Sequence, residues 1–280
     1  WPRHDLLVGP VEAWDHLGPA ELPEPDAVTI DAGGVTLHAR GYRAVSDSGT
    51  GSGRMICWIH GGPTDQWQVE FMPRVAYWVA RGWDVLAVDP RGTTGHGRSY
   101  QQALHGGWGR IDVDDTATAI RHAHARGWAE PSTTVVMGGS SGGLTVLGVL
   151  GLNPGLAVGG VVSYPVCDLA ELSERSHRFE AHYTLSLVGP LEDTELYRER
   201  SPLSYADQID VPLLVMHGDA DPVVPVEQSI RLADRVRSSG GDVELHLVEG
   251  EGHGFRHPAS KLDEYERIGR FLQRVVPRRR

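Results

Sequence analysis

Cysteine is nearly absent from the 280 residues: Cys57 and Cys167 are the two that occur. Two cysteines do not make a disulfide framework in a chain of this length, so a cytoplasmic home is the expectation. Both lie among apolar neighbours, where a free thiol packs as a small hydrophobe. Positive charge is also scarce. Lysine and arginine total 26 against 37 acidic residues, a net charge of −11. That balance repels phosphate backbones and anionic lipid, which argues against nucleic acid and membrane surfaces as partners. The terminal Arg278-Arg279-Arg280 reads as a solvated chain end. A membrane-spanning apolar run is lacking too, because the most apolar stretch, 135–162, is broken by Gly138, Gly139, Ser140, Ser141 and Pro154. Internal repeats, low-complexity tracts and a basic-then-apolar opening segment are not found. Residue 1 is Trp1 rather than methionine, so it is expected to lie inside a longer or processed polypeptide.

What is present is an ordinary globular composition, 40% hydrophobic and 22% charged, long enough to bury one large core or two small ones. Residues 1–25, rich in proline and acid and without a clear period, read as a linker or surface arm. Beyond them the pattern alternates. A hairpin is predicted over 27–31 and 35–43, around Gly33-Gly34, and strands over 55–59, 85–88, 134–137, 156–163, 212–216 and 243–248. Helices are predicted over 69–80, 112–126, 142–150, 226–236 and 262–275, with an irregular stretch over 164–206. Alternating strands and helices imply an α/β fold, a mostly parallel twisted sheet covered by helices on both faces. Sites in such sheets lie beyond the carboxyl ends of the strands.

The sharpest chemical signal is Gly138-Gly139-Ser140-Ser141-Gly142-Gly143, set between a predicted strand and a predicted helix. G-x-S-x-G in that setting fits a nucleophile elbow, with Ser140 lifted out of the sheet and amides at the helix start aimed at a developing oxyanion. A serine hydroxyl needs a base and an acid that orients the base. In this fold the chain order is serine, acid, histidine. Downstream, a strand releases Asp219 and Asp221 on the same rim, and the residues themselves favour neither. Later, Gly252-His253-Gly254 places a glycine-flanked histidine just past a strand, as a general base requires. His217, at a strand end, reads as a packed and hydrogen-bonded residue, and His122 and His124 point to different faces of a helix. His60-Gly61-Gly62-Pro63 follows another strand and suits a second oxyanion donor.

With these four signals in order the chain resembles the catalytic domain of the prolyl oligopeptidase family of serine peptidases, in its acylaminoacyl-peptidase and dipeptidyl-aminopeptidase-like branch. The likeness runs from about residue 23 to 276. It is carried by His60 to Pro63, Asp89-Pro90-Arg91-Gly92, Trp108-Gly109 leading to Asp112 and Asp115, Gly138 to Gly143, His177 to Glu180, His217-Gly218 with Asp221, and Gly252 to Phe255. The resemblance implies an α/β-hydrolase fold over 26–280 with Ser140, Asp221 and His253 as the catalytic residues and the backbones of Gly62 and Ser141 as the oxyanion hole. It also implies a substrate pocket lined by Val224, Tyr164, Phe179 and Tyr183, with Glu180 near a substrate amine. Many relatives carry a tyrosine where this chain has Ser141, which predicts a less aromatic pocket wall. No metal or organic cofactor is implied. The implied partners are a short peptide substrate, a β-propeller domain or second chain, and a further copy of the chain in a homo-oligomer. Two other readings use the same residues: an esterase or thioesterase, and a hydrolase fold retained as a binding module.

Overall fold

The structure is a computed structural model that describes residues 24–46, 49–68, 70–175 and 178–277. The chain opens with the hairpin β1 (Asp26–Asp31) and β2 (Thr36–Tyr42), then a two-strand ribbon β3 (Val45–Ser46) and β4 (Gly49–Thr50). There follow β5 (Gly53–Ile59), α1 (Pro73–Val79), β6 (Asp84–Asp89), α2 (Arg98–Gln102), α3 (Ile111–Ala125), β7 (Ala129–Gly139), α4 (Ser141–Leu152) and β8 (Gly159–Ser163). Helices α5 (Leu169–Arg175), α6 (Arg178–Leu187) and α7 (Thr194–Arg200) lead through a 3-10 helix at Pro202–Gln208 to β9 (Leu213–Gly218), α8 (Val226–Ser238), β10 (Val243–Val248) and α9 (Pro258–Val275).

Eight strands form one sheet in the order β1-β2-β6-β5-β7-β8-β9-β10. β1 and β2 run antiparallel to each other and to β6, and the remaining pairs are parallel. Strand residues alternate between two cores because both faces are covered. Leu86, Val88, Val136, Leu213 and Val215 pack with residues of α3, α4 and α8. Val85, Ala87, Val135, Met137, Leu214 and Met216 pack with Val75 and Trp78 of α1 and Phe271 and Leu272 of α9. Among the described residues no helix is long and apolar enough to cross a membrane.

The structure departs from the pattern read from sequence at several places: β8 begins at Gly159 rather than 156, α9 at Pro258 rather than 262, and α2 was not foreseen. Three further differences have a local reason. The helix predicted over 69–80 begins at Pro73, because Met72 before the proline is held extended (φ −104°, ψ 96°). Residue 69 lies outside the described residues. β7 begins at Ala129, five residues before the predicted start, and the polar Pro131-Ser132-Thr133 segment disguises its first half. The stretch expected to be irregular, 164–206, holds α5, α6, α7 and the 3-10 helix. Those helices are seven to ten residues long, too short to display a helical period of apolar residues. The expected arm over 1–25 lies outside the described residues except for Glu24 and Pro25.

Two acids of the motif that follows Trp108 turn out to hold the scaffold. Asp115 accepts from the guanidinium of Arg91 at 2.6–3.1 Å and from its amide at 2.9 Å, which pins the loop after β6 to α3. Asp112 is buried and accepts from the Gly109 amide (2.7 Å) and the Thr145 hydroxyl (2.5 Å), tying α3 to α4. Burial outweighs both hydrogen bonds and pushes its carboxyl up to about 6. A raised carboxyl binds its proton in the folded state while the unfolded chain has already lost it. Stability from this group is therefore full below the unfolded value and declines as pH rises towards 6. We expect about 1–2 kcal/mol to be lost from this source between pH 5 and 8. Asp112→Asn keeps the amide acceptor and removes the charge. Urea unfolding at the two pH values is expected to show a smaller loss in the variant, and an identical loss in both proteins would overturn this account.

Candidate active site

The four loops that carry the sequence signals leave the carboxyl ends of β5, β7, β9 and β10, on one rim of the sheet. Ser140 sits between β7 and α4 at φ 56°, ψ −124°, a left-handed conformation that an ordinary side chain rarely adopts. The chain can turn this sharply because its flanks lack side chains. A Cβ on Gly138 would lie 2.6 Å from the Gly142 carbonyl oxygen, and one on Gly142 would lie 2.5 Å from that of His60. The Ser140 amide donates to the Ser163 carbonyl at 3.0 Å, which anchors the turn to β8.

From this turn the Ser140 hydroxyl donates to His253 Nε2 at 2.9 Å, and His253 Nδ1 donates to Asp221 Oδ2 at 2.7 Å. Asp221 has a fully buried side chain. Its Oδ1 accepts from the amides of Val223 (2.8 Å) and Val224 (3.0 Å). His217, wholly buried, brings Nε2 within 3.2 Å of Asp221 Oδ2 and within 3.0 Å of the Val224 carbonyl, with Nδ1 on Ser229 Oγ at 2.7 Å. Burial opposes ionisation of Asp221, yet the hydrogen bonds from His217, His253 and the two amides outweigh it. They hold its carboxyl well below the usual carboxylate range. Asp219 points elsewhere: it is exposed and accepts from the Gly250 amide at 2.7 Å, at the foot of the histidine loop. The structure thus places Asp221, and not Asp219, against His253.

Gly62 has φ +125°, a conformation that favours glycine, in the loop after β5. The Ser141 amide begins α4, among the N–H groups that a helix leaves without an intrahelical acceptor. His60 is buried with Nε2 on Thr93 Oγ1 (2.8 Å), and burial lowers its pKa, so it serves as a packed support of this loop. The substrate residues implied by the resemblance are dispersed. Tyr164 follows β8 at φ 41° and lays its ring 4.6 Å from that of His253. Tyr183 on α6 hydrogen-bonds the Thr64 amide (3.1 Å) and hydroxyl, which fastens that helix to the loop of Gly62. Val224 is 1% exposed, in a buried cluster with Leu144, Val166 and Leu169. Phe179 and Glu180 fall in the first turn of α6, and their side chains lie outside the described residues.

A cleft of about 390 Å³ opens beside Ser140, bounded by Gly62, His253 and Tyr164. Its wall also includes residues that the motifs did not single out: Trp67, Arg74, Trp78, Glu264 and Tyr265. Arg74, Trp78, Glu264 and Tyr265 fell in stretches read only as helical spacing, and nothing in a linear pattern pairs Arg74 of α1 with Glu264 of α9.

A model of the prolyl oligopeptidase family matches residues 69–278. The chain is 31% identical over 230 residues to dipeptidyl peptidase family member 6 of Caenorhabditis elegans, covering 80% of this chain and 31% of that protein. It is 27% identical to the acylamino-acid-releasing enzyme of Arabidopsis thaliana, covering 76% of this chain and 29% of that one. Among solved structures, a puromycin-hydrolyzing peptidase of Mycobacterium tuberculosis superposes with a TM-score of 0.88 at 30% identity, over 94% of this chain and 41% of that one. The chain therefore spans about 30% of the length of these curated relatives. The site and the comparisons lead to one assignment: this chain belongs to the prolyl oligopeptidase family.

Proposed function

We propose that the chain hydrolyses amide bonds of short peptides as a serine peptidase, through an acyl-enzyme on Ser140. The observation that carries this reading is the unbroken hydrogen-bonded run from Ser140 through His253 to Asp221. His253 Nε2 takes the hydroxyl proton as Ser140 Oγ attacks the substrate carbonyl, and the amides of Gly62 and Ser141 receive the charge on the oxygen. The imidazolium, steadied by Asp221, then gives that proton to the amine nitrogen as the C–N bond breaks. Water repeats the sequence on the ester, losing its proton to His253, and Ser140 departs protonated. The names of the relatives favour amides over esters: the Mycobacterium tuberculosis protein is called a peptidase and the Arabidopsis protein releases acylamino acids.

The same reading treats residues 26–280 as the catalytic domain and supposes a further domain or second chain over the cleft. Its support is that the solved relative is longer, with this chain covering 41% of it. The test pairs a fluorophosphonate label with a library of chromogenic amino-acyl amides and simple esters. We expect the label on Ser140 and substantial kcat/KM on a subset of amides. A label on another residue would sink the assignment of Ser140, and turnover of esters with every amide inert would replace the peptidase reading by an esterase.

A further inference from the structure

The wall of the cleft carries an ion pair that the hydrolytic steps do not use. Arg74 of α1 and Glu264 of α9 meet there at 3.6 Å. The Glu264 side chain is 8% exposed, and its Oε2 is buried without a hydrogen-bond partner. The Arg74 side chain is 48% exposed, and among the described residues it makes no hydrogen bond. Because the carboxylate lies behind and the guanidinium in front, Arg74 is the member that an incoming molecule meets. Its fork of N–H donors remains free to bind. Trp67, Trp78 and Tyr265 surround the pair with aromatic surface, and a drier setting strengthens a charged hydrogen bond.

The mechanism fixes which half of a substrate enters. His253 must hand its proton to the departing nitrogen, so the leaving group lies against His253. The cleft is the space on that side, with His253 and Tyr164 in its wall. Tyr164 joins the two ends: its ring packs on His253, and after burial it is the Glu264 carboxylate, against an opposite effect of Arg74, that raises its hydroxyl. Leu144 and Val166, which share a buried cluster with Val224, each donate an amide to the Ser140 carbonyl at 3.2 Å. We infer that Arg74, braced by Glu264, binds a carboxylate on the leaving group, so that short acidic or free-acid fragments are the favoured departing halves. The inference rests on the acyl-enzyme reading above. A cleft of about 390 Å³ is at the small end of ligand sites and suits a fragment of few residues. With a net charge of −11 the protein does not attract anions as a whole, so a carboxylate needs such a local cation.

The test uses three substrates with one shared acyl residue and the leaving groups alanine, alanine amide and glutamate amide. In wild type, a carboxylate-bearing leaving group is expected to raise kcat/KM by about 10- to 100-fold over alanine amide. Preference for alanine identifies the terminal carboxylate as the group bound, and preference for glutamate amide identifies a side-chain carboxylate. Arg74→Gln is expected to bring the ratio towards one, and Arg74→Lys to keep part of it, since charge remains without the fork. Equal kcat/KM for all three substrates, or a ratio that survives Arg74→Gln, would overturn the inference. Calorimetric binding of Ala-Ala and of its amide to Ser140→Ala protein reads the same discrimination without turnover. Preferential binding of the free acid, lost on Arg74→Gln, supports the carboxylate site even if every amide proves inert, a result that would remove the peptidase reading alone.

Discussion

Ser140→Ala is expected to lower kcat on a peptide amide by about 10⁴- to 10⁶-fold, with the fold intact. In the proposed mechanism the hydroxyl is the atom that forms the acyl-enzyme. Ser141 is 3% exposed and its amide, not its side chain, faces the reaction in this mechanism. What remains after the substitution is the stabilisation given by the amides of Gly62 and Ser141 and by substrate binding, acting on direct attack by water. The fold should survive because alanine keeps the Cβ already accommodated at φ 56°, so no new strain enters the elbow. Single-turnover rates and unchanged thermal unfolding check both halves of the expectation. A residual rate within about tenfold of wild type, some 1.4 kcal/mol of barrier, would mean that another nucleophile does the work.

Asp221→Asn should cost about 10⁴-fold in kcat, whereas Asp219→Asn should cost less than about tenfold. Asp221 presents Oδ2 to His253 Nδ1, which fixes the proton on Nδ1 and leaves Nε2 free to accept from Ser140. An amide in its place can turn a donor towards Nδ1, and the histidine then carries its proton on the nitrogen that should accept. The imidazolium formed during acylation also loses its counter-charge. Among the described residues the Asp219 carboxylate holds the Gly250 amide, at an exposed site where one hydrogen bond contributes about 1 kcal/mol. The carboxyl of Asp221 lies well below the usual range, so it stays charged on acidification until the fold itself is threatened. Its stabilising contribution is present above the unfolded carboxylate value and is lost only as pH falls through the folded one. Loss of activity on mild acidification is thus assigned to a group other than Asp221. The reverse ranking of the two variants, measured as kcat on one amide substrate, would overturn the arrangement seen here.

Much of the frame was legible from residue order. The strands at 55–59, 85–88 and 243–248 lie within or coincide with observed strands, because short β-branched and apolar runs bounded by glycine or acid leave few alternatives. The elbow was legible for a stricter reason. Glycines at 138 and 142 are demanded by backbone approaching within 2.6 Å of where a Cβ would lie, so the turn leaves a mark in sequence. The helices between β8 and β9 left no such mark. They are short, and their buried residues, such as Leu169, Leu187 and Tyr197, answer to a cluster assembled with Trp108 and Leu144 from distant parts of the chain.

The sequence by itself determined the α/β class, the elbow at Ser140, the glycine-flanked His253 and the glycine turn at Gly62, all of them local requirements of backbone geometry. On the residues alone Asp219 and Asp221 were equivalent, two carboxylates two positions apart at the end of one strand. The family resemblance pointed to Asp221, and the tertiary structure supplies the physical reason: β9 and β10 lie side by side and bring the loop of His253 over Asp221 while Gly250 takes Asp219. The cleft was decided by tertiary structure alone. Arg74 and Glu264 lie on helices far apart in sequence that cover one face of the sheet, and their meeting is decided by how α1 and α9 pack there. A charge pair formed through such packing depends on distance in space, which a linear pattern does not encode.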